Sequence, residues 1–277
     1  MDLNKVAFSV CMSVYQNDNP TDFMVSVHSI YTDQTIKPNE IILVVDGPIN
    51  KDLEGIIRSL EQEIDVLRVI ALKDNMGHAT ARQTGLEAAS NELIAVMDAD
   101  DIAVPTRFEQ QLRAFNEHPE VSVVGGIIKE FIEMPDNVVG TRVCPEKDED
   151  IKLYLKSRCP MNLVTVMLKK SDVQAVGGYQ DWYCEEDYYL WIRLTLAGYQ
   201  FYNIQNNLVN VRVGEKMYQR RGGMRYFKSE SLLQKYMLAH KIIKLPQYIY
   251  NVLIRFILQV LLPNNVRGWF FQKFARS

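Results

Sequence analysis

The chain has 277 residues, of which 47 % are hydrophobic and 23 % charged, with 31 Lys and Arg against 34 Asp and Glu. That length can bury a sizeable core, and the composition is that of a globular protein rather than a disordered or fibrous one. The net charge of −3 argues against a nucleic-acid partner, and no run reaches the roughly 18 uninterrupted apolar residues that mark a membrane span. The charge is unevenly placed. From Ser231 onward there are seven Lys or Arg and no Asp or Glu, so an acidic body of 24 basic and 34 acidic residues carries a basic tail. Cys11, Cys144, Cys159 and Cys184 show no CxxC spacing and read as free thiols in a reducing cytoplasm. The N-terminal "MDLNKVAFSVCMSVY" lacks the charged region and cleavage site of a signal peptide.

In chain order, "VAFSVCMSV" (6–14) predicts a buried strand, and Asp22 to Asp33 a helix with Phe23, Val27, Ile30 and Tyr31 on one face. "EIILVVDG" (40–47) is a second strand and "DLEGIIRSLEQE" a helix. "VLRVIAL" (66–72) is a third strand, "GHATARQTGLEAAS" a helix opened by Gly77, and "ELIAVMD" a fourth strand. Strands separated by helices of this length predict right-handed βαβ units and a parallel sheet. Such sheets bind ligands beyond the carboxyl ends of their strands, where Asp46 and Asp98 both lie. After Pro105 a helix runs to about His118. Two strand segments follow (121–124, 127–133), and then polar "CPEKDED" (144–150). A second region contains "TVMLKK", a Gly177–Gly178 turn, the acidic start of a helix in "CEEDYYLWIRL", and two further short strands.

The stretch "LIAVMDADDIAVP" places Asp98, Asp100 and Asp101 within four residues of a strand's end. Carboxylates so close raise one another's pKa unless a cation joins them. A calcium loop fails, because Ile102 stands at its fifth position and Ala103 replaces the glycine at its sixth. An acidic cap on the following helix accounts for Asp101 but not for the other two. Asp98 and Asp100, two apart at a strand end, can turn toward one point and suit Mg²⁺ or Mn²⁺ with positions left for phosphate oxygens. Glu185, Glu186 and Asp187 are the other acidic cluster. They complement the positive end of a helix, a role that does not exclude catalysis, since a helix start also fixes a carboxylate rigidly.

The strand ending "VVDG", the stretch "NMGHATARQTGLEAAS", the "MDADD" and the distal "EED" resemble the family 2 glycosyltransferases of GT-A fold over about residues 6 to 225. The second stretch is similar to that family's N-x-G-x-x-x-A-R-N-x-G, with Gln83 where Asn is usual. "TVMLKKSDVQAVGGY" and "YQRRGG" look like enzymes that build bacterial capsular or exopolysaccharide units. The resemblance implies an α/β GT-A fold: a Rossmann-like, mostly parallel central sheet with flanking helices. It further implies an inverting, metal-dependent transfer of one sugar from a nucleotide sugar, most often UDP-linked, to a hydroxyl of a glycan or lipid-linked glycan.

By the same resemblance Asp46 accepts a hydrogen bond from the base, Ser13 and Tyr15 line the base pocket, and Arg82 helps hold base or diphosphate. Asp98 contacts ribose or metal, Asp100 ligates the Mn²⁺ or Mg²⁺, and Asp187 is the catalytic base with Glu186 beside it. Arg220 and Arg221 stand where processive synthases carry Q-x-x-R-W. No tryptophan follows them, which points away from a polymerising enzyme, while their guanidinium groups suit the diphosphate. Leu163 occupies a position that is often histidine in relatives. A nucleotidyltransferase or a non-catalytic nucleotide-sugar-binding protein remains as the alternative. The former usually carries a glycine-rich loop after the first strand, which "SVYQNDNP" lacks.

The expected organisation is a GT-A domain over 1–228, with a nucleotide-binding half (1–104) and an acceptor half (105–228), and a basic helical extension over 229–277. In "YIYNVLIRFILQVLL" (248–262), Asn251, Arg255 and Gln259 form one polar stripe on an otherwise apolar helix. Fifteen residues rise about 22 Å, short of a hydrocarbon core of about 30 Å. With the basic and aromatic "RGWFFQKFAR" after it, the tail suits the surface of an anionic membrane. The enzyme is thus expected on the inner face of the cell membrane. The competing expectation is a helix packed on the catalytic domain.

Overall fold

A computed structural model describes residues 2–214 and 222–262. The first half follows the expected alternation: β1 (Phe8–Val14), α1 (Pro20–Ile30), β2 (Glu40–Val45), α2 (Lys51–Glu63), β3 (Leu67–Ala71), α3 (His78–Ala88) and β4 (Leu93–Met97). Strands β3, β2, β1 and β4 pair in that order, all parallel. Both faces of β1, β2 and β4 are covered, which explains their continuous hydrophobic runs, whereas β3 is the half-exposed edge. Phe8, Val10, Met12 and Val14 join Ile41, Leu43 and Val45 in one core with Phe23, Val27 and Ile30 of α1. Cys11, Ile42, Val44, Ile94 and Val96 face the opposite core, built on α3 and on helices from the second half.

Beyond β4 the sheet becomes mixed. It contains the short β5 (Ile102–Ala103), β6 (Val121–Phe131), β7 (Val138–Arg142), β8 (Met167–Lys169) and β9 (Gln200–Arg212), with α4 (Arg107–Glu117), α5 (Asp148–Leu155) and α6 (Lys170–Ala175) between them. The path continues β4–β8–β6–β9–β5, with β7 on β6. Two expectations need correction here. The segments 121–124 and 127–133 are one strand, β6, which runs through Gly125–Gly126 and shifts register at Gly126/Ile127. These glycines mark crowding rather than a break. A Cβ on Gly125 would meet Asn203 Oδ1 at 2.5 Å, and one on Gly126 would meet Leu208 Cδ1 at 2.5 Å. Likewise the two short strands expected late in the chain are the single β9, whose Asn-rich middle disguises a 13-residue strand parallel to β6.

Helix α7 (Glu186–Leu196) carries the fully buried Trp191 into the second core. Helix α8 (Met224–Ala239) follows, packing Leu233 and Met237 there as well, and α9 (Leu245–Phe256) continues into a π-helical turn over Ile257–Leu261. Among the described residues no helix is long and apolar enough to cross a membrane. All four cysteines are free thiols.

Gly47 sits just past β2 at φ +85°, and a Cβ there would come within 2.5 Å of the backbone nitrogen of Asn75. Gly47→Ala should therefore cost about 1–3 kcal/mol in urea unfolding, and it should displace the 74–77 loop that lies against Asp46.

Candidate functional site

The carboxyl ends of β1, β2 and β4 open into a cleft of about 1240 Å³ lined by Ser13, Tyr15, Asp18, Asp22, Asp46, Asp98 and Asp100, among others. A second cavity of about 650 Å³ adjoins it, sharing Asp98, Asp100 and His78. It adds Arg82, Arg142, Asn162, Glu186, Asp187 and Arg212. The structure therefore brings together Ser13, Tyr15, Asp46, Arg82, Asp98, Asp100, Glu186 and Asp187. Arg220 and Arg221 lie outside the described residues.

Asp46 is buried at the end of β2. Its carboxylate accepts the backbone N–H of Met76 at 2.7 Å and of Gly77 at 3.0 Å, which fixes the loop leading into α3. Gly85, later in α3, lets the helix approach β1, since a Cβ there would already touch Cys11 at 3.3 Å. Gln83, the departure from the family pattern, uses its extra methylene to reach the Gly-Gly turn. Its carbonyl accepts the Tyr179 N–H at 2.7 Å, and Gly178, at φ +65°, has no room for a Cβ beside it.

Arg82 is the centre of the site. From α3 it donates to Asp98 Oδ1 at 3.1 Å and to Glu186 Oε1 at 2.5 Å, joining the end of β4 to the start of α7. Both ends of its fork are thus occupied by carboxylates, and these two anions hold its guanidinium pKa above the ordinary value. Below the site, the fully buried Arg107 donates to Val96 O at 2.7 Å and to Met97 Sδ at 3.1 Å, tethering the strand that delivers Asp98.

The three acids of "CEED" face three ways. Glu185 is buried and turned toward α8, accepting the Tyr226 hydroxyl at 2.7 Å. Glu186 is held by Arg82. Asp187 faces the 650 Å³ cavity and accepts the Tyr188 N–H at 2.6 Å. Desolvation first, then Glu186, raises the Asp187 pKa, against the lowering influence of Arg82, Tyr188 N–H and Arg142. A half-buried carboxylate with a raised pKa, open to a cavity, can take a proton from a hydroxyl placed there.

Across the cleft the carboxylates crowd. Asp100 is pushed up to about 6 by desolvation and by Asp98. Asp18 is also raised to about 6, by burial first and then by Asp100 and Asp98, although it accepts the Tyr15 N–H at 2.9 Å. Asp101 is raised as well, by desolvation first and then by Asp100 and Asp98, but its carboxylate is committed to the fold. It is buried and accepts the Arg212 N–H at 2.9 Å, while the Arg212 side chain pairs with Asp22 at 2.8 Å. Among the described residues no three His, Cys, Asp or Glu side chains converge as a closed ligand set. The donor set that remains, Asp98 and Asp100 at a cavity wall, with the Asp100 carboxyl raised by desolvation and by its neighbour, fits a hard divalent cation that takes its other ligands from phosphate and water.

Asp18, Asp22, Arg142 and Arg212 were missed from sequence. Asp18 and Asp22 flank the Asn19–Pro20 helix start, where no local pattern marks them as site residues. Arg142 and Arg212 sit in strands without any local motif, and only the packing of β6 through β9 brings them to the cleft.

Residues 9–176 match Glycosyl transferase family 2, and residues 93–269 match Glycosyl transferase family group 2. An uncharacterised glycosyltransferase of Haemophilus influenzae is 36 % identical over 98 % of this chain and 99 % of its own length. The UDP-Gal:alpha-D-GlcNAc-diphosphoundecaprenol beta-1,3-galactosyltransferase of Escherichia coli is 32 % identical over 97 % of this chain and 96 % of its own. The amylovoran biosynthesis glycosyltransferase AmsE of Erwinia amylovora is 33 % identical over 84 % and 86 %. Among solved structures, S. aureus TarS 1–349 in complex with UDP-GlcNAc shares the fold with a TM-score of 0.67 at 14 % identity, over 91 % of this chain and 73 % of its own. A Pyrobaculum calidifontis mannosyltransferase with GDP-Man and Mn²⁺ does so with 0.64 at 14 %, over 99 % and 77 %. These neighbours establish the GT-A fold, and the comparisons lend no support to a nucleotidyltransferase or a non-catalytic binding protein.

Arg82→Met should lower stability by about 1–3 kcal/mol in denaturant unfolding. This is below the loss typical of a fully buried pair, because Asp98 can rehydrate in the cleft. Arg82→Lys, which keeps the charge but not the fork, should restore only part of it.

Proposed function

We propose, from the premise that this chain belongs to glycosyl transferase family 2, that it moves a single sugar from a UDP-linked donor to a hydroxyl of a lipid-linked glycan, with inversion at the anomeric carbon. The observation that carries this reading is the opposition of two carboxylate groups at adjoining cavities: Asp98 and Asp100 at the end of β4, and Asp187 at the start of α7, with Arg82 braced between Asp98 and Glu186. The relative named for a diphosphoundecaprenol acceptor matches nearly the whole chain, which supports a lipid-linked acceptor of bacterial surface polysaccharide synthesis.

In this reading the nucleotide lies in the larger cleft. Ser13 and Tyr15 line the base pocket and Asp46 meets the base, using lone pairs left after it has accepted the Met76 and Gly77 amides. Asp98 and Asp100 would hold Mn²⁺ or Mg²⁺, which supplies charge neutralisation for the departing diphosphate. Arg82 orients Asp98 and Glu186, and Arg220 and Arg221 would close over the phosphates. Asp187 takes the proton of the acceptor hydroxyl. The freed oxygen forms a bond to the anomeric carbon while the bond to the diphosphate breaks on the opposite face, the electron pair leaving on the diphosphate oxygen. The division into 1–104, 105–228 and 229–277 follows these roles: nucleotide, acceptor and attachment to the inner face of the cell membrane.

Incubation with a panel of nucleotide sugars and acceptors, with nucleoside diphosphate read by mass spectrometry, tests the activity. Chelation should abolish transfer and Mn²⁺ or Mg²⁺ restore it, whereas full turnover in excess chelator would remove the metal from Asp98 and Asp100. Asp187→Asn should leave donor affinity in place and lower transfer by roughly 10²- to 10⁴-fold. If Glu186→Gln has that effect and Asp187→Asn does not, the base is Glu186. Because the Asp187 carboxyl is raised above its ordinary value and acts only when ionised, kcat should be lost as pH is lowered, along a limb that lies above the usual aspartate range. An Asp187→Glu variant with residual activity should show that limb displaced.

A further inference from the structure

The C-terminal helix is built inside out. Its polar stripe faces the protein: Asn251 donates to Lys156 O at 2.8 Å and to Gln234 Oε1 at 2.7 Å, and Arg255 donates to Ser157 O at 2.7 Å and pairs with Glu230 at 3.3 Å. Gln259 also bonds Glu230 through its side-chain amide, and its backbone carbonyl accepts the Gly223 N–H at 2.9 Å. These contacts fix the rotation of the helix, so the side turned to solvent is the apolar one. Leu245, Ile249, Leu253 and Leu261 are 54–61 % exposed, Tyr250 is 66 % and Ile257 38 %. Leu245, Ile249, Leu253, Ile257 and Leu261 recur every fourth residue and make one ridge running through α9 and its π-helical turn.

Resting on the lipid-linked acceptor of the proposed function, we infer that this ridge docks into the interfacial layer of an anionic lipid surface, lying parallel to it. Charge complementarity selects the occupant. Lys241 and Lys244 are exposed at the head of the ridge, and no Asp or Glu occurs after Glu230. A second copy of the chain would present the same cations to them, whereas anionic headgroups oppose them. The acidic cleft, by contrast, repels such a surface. The molecule is therefore electrically polar, and its basic, apolar side is the one that meets lipid. The docked face is also tied to the chemistry. Arg255 and Glu230 stand beside Glu185, the residue before Glu186 and Asp187, and α8 grips the 182–183 segment through Trp182 Nε1 to Ser229 O (3.2 Å) and Ser229 Oγ to Tyr183 O (2.7 Å). Docking thus holds the acceptor cavity at a set height above the lipid.

Co-sedimentation of the full chain tests this, using acceptor-free vesicles of phosphatidylethanolamine with phosphatidylglycerol, and of phosphatidylcholine alone. The chain should pellet with the anionic vesicles and much less with the neutral ones. Binding should weaken as salt rises from about 0.1 to about 1 M and the Debye length shrinks from about 10 to about 3 Å. The double variant I249E/L253E, altered only at exposed positions, should lose about tenfold or more of that binding while keeping its melting temperature and its nucleoside diphosphate release with a short soluble acceptor. K241Q/K244Q should flatten the salt dependence. Retained vesicle binding by I249E/L253E would overturn the inference, as would a parent chain that ignores anionic vesicles. So would a parent dimer in light scattering that I249E/L253E converts to monomer. Failure of the glycosyl-transfer reading would appear separately, as no diphosphate release from any donor while sedimentation persists.

Discussion

The site depends on one guanidinium. Arg82 reaches Asp98 on one side and Glu186 on the other, and without it the ends of β4 and α7 would present repelling carboxylates across a shared cavity. The arginine is set by helix α3, whose N-terminus is placed by Asp46 through two backbone amides and whose close seat on β1 depends on Gly85. A chain of short-range decisions in the parallel half thus fixes a long-range ion bridge over 104 positions of sequence. The bridge also settles which acids remain for other tasks. Asp98 spends one oxygen on it, Asp100 spends none, and Asp187 is left facing the cavity.

Two populations of charge follow from this arrangement. One set is paired: Arg82 with Asp98 and Glu186, Arg212 with Asp22, and Arg255 with Glu230. Asp18, Asp100 and Asp187 sit where desolvation and like neighbours raise their pKa values. Sites that must receive an ion or a proton from outside keep their charges incompletely matched, as Asp18, Asp100 and Asp187 do beside the two adjoining cavities.

The parallel half was legible because its strands are buried on both faces and its helices have a clear apolar side. The strand ends then placed Asp46 and Asp98 without further help. Legibility failed where local sequence carries two meanings. Gly125–Gly126 reads as a break, but its hydrogens make room for Asn203 and Leu208 within a continuous strand. The late segment reads as two short strands, yet it is one, and its polar side chains are used within the fold, as when Asn203 donates to Pro145 O at 2.8 Å. Arg142 and Arg212 had no motif, because what brings them to the cleft is strand pairing on β6, antiparallel with β7 for Arg142 and parallel with β9 for Arg212. The polar stripe of the C-terminal helix was readable as a stripe, but only its hydrogen-bond partners show that it points inward.

Those partners have a consequence for how such enzymes diversify. Glu185 and Glu230 are buried side by side with Arg255 as their shared cation, and Tyr226 caps Glu185. An exchange of the C-terminal helices for those of a relative would strand a carboxylate one residue from the helix that carries Asp187. Tail and acidic turn are therefore a single energetic unit. A lineage that recruits this catalytic body to a different surface must recode the "EED" segment and its helical partners together, and substitutions in the two should arise as compensating pairs.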